Sequence, residues 1–197
     1  MKLILASQSP RRYELLSMTG FPFEAVPPPC DEGQVFSRLM RDIPDLDERR
    51  LVEKLALAKG MASLREHPGC LILAADTIVT LDGTVYGKPK DKDDARSMLR
   101  TLSGRTHVVD TGVAILTSSS TELFSSVSHV TFQPLSPATE ALIDRYAESG
   151  LPLDKAGGYG IQERGGLLIS HIEGDYFSIM GLPVSEVFRR LSAYEID

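Results

Sequence analysis

The chain has 197 residues, 42% of them hydrophobic and 24% charged, and carries a net charge of −6. That length and apolar content suffice for one domain with a real core, so a single domain over residues 1–197 is expected; no stretch combines low hydrophobicity with high charge as extended disorder requires. The negative charge argues against a general electrostatic footprint for nucleic acid or an anionic membrane, so any anionic ligand must be met by local cations. Cys30 and Cys70 are too few for a disulfide scaffold or a cysteine zinc site, and they fit a reducing, cytoplasmic setting.

Residues 1–6 imitate the start of a signal peptide, but the apolar run stops at Ser7 and two arginines follow, so residues 2–6 read as a first buried strand. Pro10 suits the first turn of a helix with Ser9 as its N-cap; Leu15, Leu16 and Met18 face the core and Gly20 ends it. Residues 21–26 read as a second extended segment. Residues 27–47, rich in Pro, Asp and Gly, predict a long loop with a short helical turn around residues 36–40. Loops of that length often border active sites.

From Asp47 to about Glu66, Leu51, Val52, Leu55, Ala58 and Ala62 recur at helical spacing, and His67-Pro68-Gly69 terminates the helix. Residues 71–75 form a wholly apolar strand that runs into Asp76-Thr77 and continues to the turn at Asp82-Gly83. Residues 91–102 predict a helix stopped by Gly104. Two long strands, 106–116 and 123–133, flank the polar tip 117–122. A helix over 137–147 ended by Gly150, a glycine-rich run over 155–166, a strand over 167–172 and a terminal helix over 184–191 behind Pro183 complete the order. Helices alternate with strands in the first half and an antiparallel pair follows, which predicts an α/β fold with a mixed sheet. No segment offers the roughly 18 to 20 continuous apolar residues that a membrane-spanning helix needs, so a soluble protein is expected.

Four groups of residues carry chemistry. Ser7, Ser9, Arg11 and Arg12 lie at a strand-to-helix junction, where backbone N–H groups, the helix dipole, hydroxyls and guanidinium forks favour phosphate. A plain capped helix with two solvated arginines accounts for the same four residues equally well. Asp76 interrupts a buried strand, where ionisation is costly unless a cation is near; a general base or metal ligand fits, and a turn-bonding Asp is the competing account. Thr77 adds a hydroxyl beside it. In Gly87-Lys88-Pro89, the flanking residues permit close approach and stiffen the segment presenting Lys88, although most such stretches are exposed turns.

Asp31-Glu32 offers adjacent carboxylates, and Lys59 continues the line Leu51-Leu55 on its helix, unlike Lys54, so it can point inward. A lysine snorkelling at the core margin and a solvated acidic pair are the alternatives. The four histidines show no HExxH spacing, and neither a GxxxxGK[ST] P-loop nor a G-x-S-x-G elbow is present.

Taken together, Ala6-Ser7-Gln8-Ser9-Pro10-Arg11-Arg12-Tyr13-Glu14-Leu15-Leu16, Asp31-Glu32, Ala75-Asp76-Thr77, Gly87-Lys88-Pro89, Leu102-Ser103-Gly104 and Asp154-Lys155-Ala156-Gly157-Gly158-Tyr159-Gly160-Ile161-Gln162 resemble the Maf family of nucleoside triphosphate pyrophosphatases. Gly174-Asp175-Tyr176 and Gly181-Leu182-Pro183 extend the match, which runs in order along almost the whole chain. The resemblance implies a mixed α/β fold like that of inosine triphosphate pyrophosphatases, two lobes around a cleft, a divalent metal such as magnesium or manganese, and commonly a homodimer. It implies that Asp76 is the proton acceptor and that the Ser-Arg motif with Lys59 and Lys88 holds the triphosphate; beyond the resemblance, a metal bridging the triphosphate to the carboxylates of Asp76 and Glu32 is expected.

The stretch ending at Gln162 resembles the branch that hydrolyses dTTP and UTP rather than the 7-methyl-GTP branch, with Arg12, Thr77 and Gln162 linked to specificity; a side-chain amide both donates to and accepts from a pyrimidine edge. Three departures stand out. The segment from residue 32 to 55 is longer than usual, Lys54 stands where an arginine is typical, and Glu163-Arg164 follows Gln162 where a glycine is more usual. Two other readings stay open on the sequence: a nucleotide-binding regulator linked to cell division with little turnover, and a pyrophosphatase for 7-methyl-GTP or modified purines.

Overall fold

The structure is a computed structural model that describes residues 1–43 and 47–197. The elements run β1 (Leu3–Ala6), α1 (Pro10–Ser17), β2 (Glu24–Val26), α2 (Glu32–Asp42), α3 (Glu48–Glu66), β3 (Leu71–Leu81), β4 (Thr84–Tyr86), α4 (Lys92–Leu102), β5 (Thr106–Leu116), β6 (Thr121–Phe132), α5 (Pro137–Glu148), β7 (Ile169–Glu173), α6 (Tyr176–Met180) and α7 (Val184–Leu191). Short 3-10 turns span Leu151–Asp154, Ala156–Gly158 and Arg164–Leu168. The strands form one sheet in the order β2-β1-β3-β5-β6-β7, with β4 beside β3. β1 runs parallel to β2 and β3, whereas the β3–β4 and β6–β7 pairs are antiparallel. The expected α/β class with a mixed sheet and flanking helices is therefore what forms. No helix among the described residues is long and apolar enough to cross a membrane.

The chain forms two compact units, one of Met1–Asp76, Asp110–Ser126 and Gly181–Asp197, the other of Thr77–Val109 and Val127–Met180. In the first, β1 is paired on both edges and buried along its whole length, and its uninterrupted apolar run is that of a central parallel strand. Its core contains Ile4, Ala6, Ala56, Ile72, Ala74, Ala114 and Leu116. Small residues there let α3 approach the strands closely. A Cβ on Gly112 of β5 would fall 2.5 Å from the backbone carbonyl carbon of Val52, and one on Gly60 of α3 would fall 2.3 Å from Leu116 Cδ1. The start of α3 is fixed by Asp47, whose side chain accepts from Arg50 N at 2.9 Å.

The core of the second unit contains Val79, Leu99, Leu102, Val109, Val130, Phe132, Ile143, Tyr146, Tyr159 and Leu168. Within it, His107 Nε2 lies 2.7 Å from Tyr159 Oη, and the rings of His107, Phe132 and Tyr159 meet edge to face. Burial lowers the His107 pKa to about 4, so the ring is neutral at pH 7.

Five expectations need correction. Met18, expected to face the core beside Leu15 and Leu16, is 61% exposed, because α1 ends at Ser17 and Met18 is its C-cap. The loop over 27–47 contains an eleven-residue helix, α2, instead of one helical turn; Asp31 caps it by accepting from Gln34 N, while Val35, Phe36 and Leu39 give it a half-buried stripe. That stripe is too short to stand out against the flanking Pro and Asp, and residues 44–46 of the expected loop lie outside the described residues. The second extended segment shrinks to Glu24–Val26, because only those residues pair with β1. The hairpin tip is tighter than expected: Thr117 Oγ1 accepts from Ser119 N and Ser120 N, so β6 begins at Thr121. The strand expected from residue 167 begins at Ile169, after the 3-10 turn.

Two predictions follow from this packing. Gly112→Ala forces β5 away from the α3 backbone and is expected to cost about 1 to 3 kcal/mol, seen as a lower urea midpoint with unchanged m. Asp110 is 2% exposed with Oδ1 lacking a hydrogen-bond partner among the described residues. Its pKa is raised to about 6, chiefly by burial, with Glu53, Glu48 and Asp47 adding to the rise and Arg49 opposing it. Because the folded pKa lies above the unfolded one, this carboxyl's contribution is fully present below about pH 4 and is lost as pH rises through 6. Asp110→Asn should therefore stabilise the protein at pH 7 by on the order of 2 to 3 kcal/mol and give no gain near pH 4, measured by denaturation at the two pH values.

Candidate active site

The first unit assembles two groups. At the β1–α1 junction, Ser7 N donates to Val26 O at 3.0 Å, tying the turn to β2. Ser7 Oγ accepts from Ser9 N at 3.1 Å, and Ser9, the N-cap of α1, accepts from Arg12 N at 3.4 Å. The serines thus build the cap that the sequence predicts, and the cap orients the first turn bearing Arg11 and Arg12. Arg12 Nε donates to Gly181 O at 2.8 Å, which fixes the plane of the guanidinium from far along the chain. Desolvation lowers the Arg12 pKa, Asp76 and Glu32 oppose that loss of charge, and Arg11 reinforces it. These four charges therefore share one electrostatic neighbourhood.

The second group centres on Lys59, which α3 buries to 4% exposure. Its ammonium donates to Asp76 Oδ1 at 2.7 Å and pairs with Glu32 Oε1 at 2.9 Å. Asp76 arrives at this point because β3 carries it directly from the buried residues Leu71–Ala75; Glu32 arrives as the first residue of α2. Asp31 does not join them: its carboxylate is spent on the backbone and side-chain nitrogens of Gln34. Of the two sequence accounts of Lys59, the inward-pointing one is what folding realises.

No group of three or more His, Cys, Asp and Glu side chains fit to hold a metal occurs among the described residues. Two carboxylates converging on one cation nonetheless fit a small hard ion, which usually takes one or two protein carboxylates and fills its remaining positions with substrate phosphates and water.

The second unit holds Thr77, Lys88 and Gln162. Lys88 is exposed between β4 and α4, and its segment is joined to the glycine run by Gly157 N donating to Gly87 O at 3.1 Å. A Cβ on Gly158 would meet Pro89 Cγ at 3.2 Å, and Gly157 and Gly158 both have positive φ, so the close approach of the two segments needs glycine there. Gln162 is exposed in the turn that follows. Sequence reasoning missed the carbonyl of Gly181 as the holder of Arg12; Gly181-Leu182-Pro183 was visible as a motif, but nothing local says that its backbone faces an arginine.

A cationic helix start beside a carboxylate pair suits a phosphorylated ligand and a hard cation. The chain belongs to the Maf-like protein family, whose pattern matches residues 2–194. It is 44% identical over 196 residues to a dTTP/UTP pyrophosphatase of Bacillus anthracis, covering 100% of this chain and 97% of that protein. It is 45% identical over 188 residues to a dTTP/UTP pyrophosphatase of Thermosipho africanus, covering 95% of this chain and 91% of that protein.

The unequal exposure of the two partners of Lys59, 19% for the Asp76 side chain and 52% for Glu32, predicts unequal costs of removing them. Asp76→Ala should destabilise the fold by about 2 kcal/mol or more, because it strips the shielded partner from a buried ammonium; Glu32→Ala should cost under about 1 kcal/mol. Thermal melts of the two variants at pH 7 test the order.

Proposed function

We propose that the protein hydrolyses nucleoside triphosphates, dTTP and UTP foremost, to nucleoside monophosphate and pyrophosphate. The observation that carries this reading is the Asp76-Lys59-Glu32 cluster in the electrostatic neighbourhood of Arg11 and Arg12; the names of the full-length relatives support the substrate class.

The roles follow from the chemistry of each group. Arg11 and Arg12, with Ser7, Ser9 and the backbone N–H groups at the start of α1, hold phosphate oxygens. Asp76 takes a proton from the water whose oxygen bonds to the α-phosphorus; the bond from that phosphorus to the bridging oxygen breaks, and pyrophosphate leaves with the electron pair. Lys59 holds Asp76 by Oδ1, which fixes the direction of the carboxylate, and its charge together with that of Lys88 offsets the charge that develops on the departing phosphates. Asp76 and Glu32 would hold a divalent cation, magnesium or manganese, which when bound neutralises phosphate charge and polarises the α-phosphorus. Gln162 reads the pyrimidine edge through its amide, with Arg12 and Thr77 contributing to base choice.

Pyrophosphate release from UTP, dTTP, ITP and 7-methyl-GTP with magnesium or manganese tests this reading. Faster release from the pyrimidines supports it; a purine optimum would move the assignment to modified-purine clearance, and tight binding without release would make the protein a regulator. Asp76→Asn should lower kcat by about 10²- to 10⁴-fold, the usual worth of a general base. Near wild-type turnover in that variant would remove Asp76 from the chemistry.

A further inference from the structure

The turn that carries Gln162 is closed by groups to which the hydrolysis assigns no role. Gly160 N donates to Tyr146 Oη at 3.0 Å, and Tyr146 Oη donates in turn to Glu163 Oε2 at 3.3 Å. The other oxygen of Glu163, Oε1, lies 3.2 Å from Lys155 Nζ, which also donates to Leu151 O at 2.6 Å and to Asp154 Oδ1. The Glu163 backbone closes the same loop, its N–H donating to Gly160 O at 3.2 Å and its carbonyl accepting from Gly166 N at 2.9 Å. Tyr146 is fully buried and Lys155 is 5% exposed, so both anchors are rigid parts of the second unit. The turn itself has no slack. A Cβ on Gly160 would meet Lys155 Cε at 2.7 Å, one on Gly165 would meet Gly160 O at 2.9 Å, and one on Gly166 would meet Ile161 O at 2.4 Å.

Glu163 thus bridges the two ends of a tight loop, and the exposed Gln162 precedes it by one residue. Lys155 takes Glu163 as a second carboxylate beside Asp154, and a tyrosine hydroxyl that accepts from a backbone N–H is free to donate its own proton onward; one Glu163 side chain meets both. We propose that Glu163 is a positioning residue: by joining Tyr146 and Lys155 it fixes the direction of the Gln162 amide, and through it the discrimination between pyrimidine and purine triphosphates. This rests on the reading that Gln162 contacts the base. The physical reason is that an amide presents a donor and an acceptor side by side, so a small rotation or shift exchanges the edge it matches without altering the phosphate chemistry.

The test compares steady-state pyrophosphate release from UTP and ITP by the wild type, Glu163→Ala, Glu163→Gln, Gln162→Ala and the double variant. Glu163→Ala should raise KM for UTP and lower the UTP-to-ITP ratio of kcat/KM by about tenfold or more, with kcat for ITP held within about threefold. Glu163→Gln, which keeps an acceptor for Tyr146, should recover most of the ratio. Gln162→Ala should lower the ratio as well, and the double variant should fall no further than Gln162→Ala alone, because both changes remove one interaction. An unchanged ratio in Glu163→Ala beside a reduced one in Gln162→Ala overturns the positioning role and leaves the base-reading role standing. An equal loss for both nucleotides, with a lower melting temperature, makes Glu163 structural only. An unchanged ratio in Gln162→Ala overturns the base-reading role, and the proposal with it.

Discussion

An ammonium taken out of water must be met by negative charge, and the first unit is organised around that requirement at Lys59. The helix α3 carries Lys59 on the same buried face as Leu51, Val52, Leu55 and Ala56, so packing alone drives the charge inward. Asp76 and Glu32 answer it, one from the end of an apolar strand segment and one from the start of a helix. The close approach depends on missing side chains. Gly60 and Gly112 leave room for α3 to seat against β5, and any Cβ at those positions would meet the neighbouring element at 2.3 to 2.5 Å.

The same economy holds at the β1–α1 junction. Its serines serve first as structure: their hydroxyls accept from backbone N–H groups of the turn and of α1. The capped-helix account and the phosphate account of these residues are therefore not rivals. The cap is what makes the first turn rigid, and the rigid turn is what presents Arg11 and Arg12. Arg12 is held twice, its backbone N–H by Ser9 Oγ in the cap and its guanidinium Nε by the carbonyl of Gly181.

In the second unit, orientation comes from tyrosines and glycines. Gly157 and Gly158 allow the glycine run to pass close to the Lys88 segment, and Tyr146 reaches from α5 to hold Gly160 and Glu163. His107 supports Tyr159 from β5 and stays neutral because burial penalises its charge. Glu163 looks in sequence like an ordinary charged turn residue, yet its carboxylate meets two anchored side chains.

The α/β class, the starts of α1 and α3, the full extent of β3, β5 and α7, and the residue types that suit phosphate and a hard cation are all legible in the amino-acid order. Those features are written in short windows: an apolar run, a cap residue, a helical period, a proline or a glycine stop. The helix α2 is less legible, because a half-buried stripe of Val35, Phe36 and Leu39 is faint beside its Pro- and Asp-rich flanks. Folding, not local pattern, brings Lys59 to Glu32 and Asp76 but not to Asp31, sets Gly181 against Arg12, and joins Glu163 to Tyr146 and Lys155. Most of those pairings join residues distant in the chain, and the direction in which neighbouring carboxylates turn depends on which backbone or cation lies within reach. That is settled when the helices and strands pack.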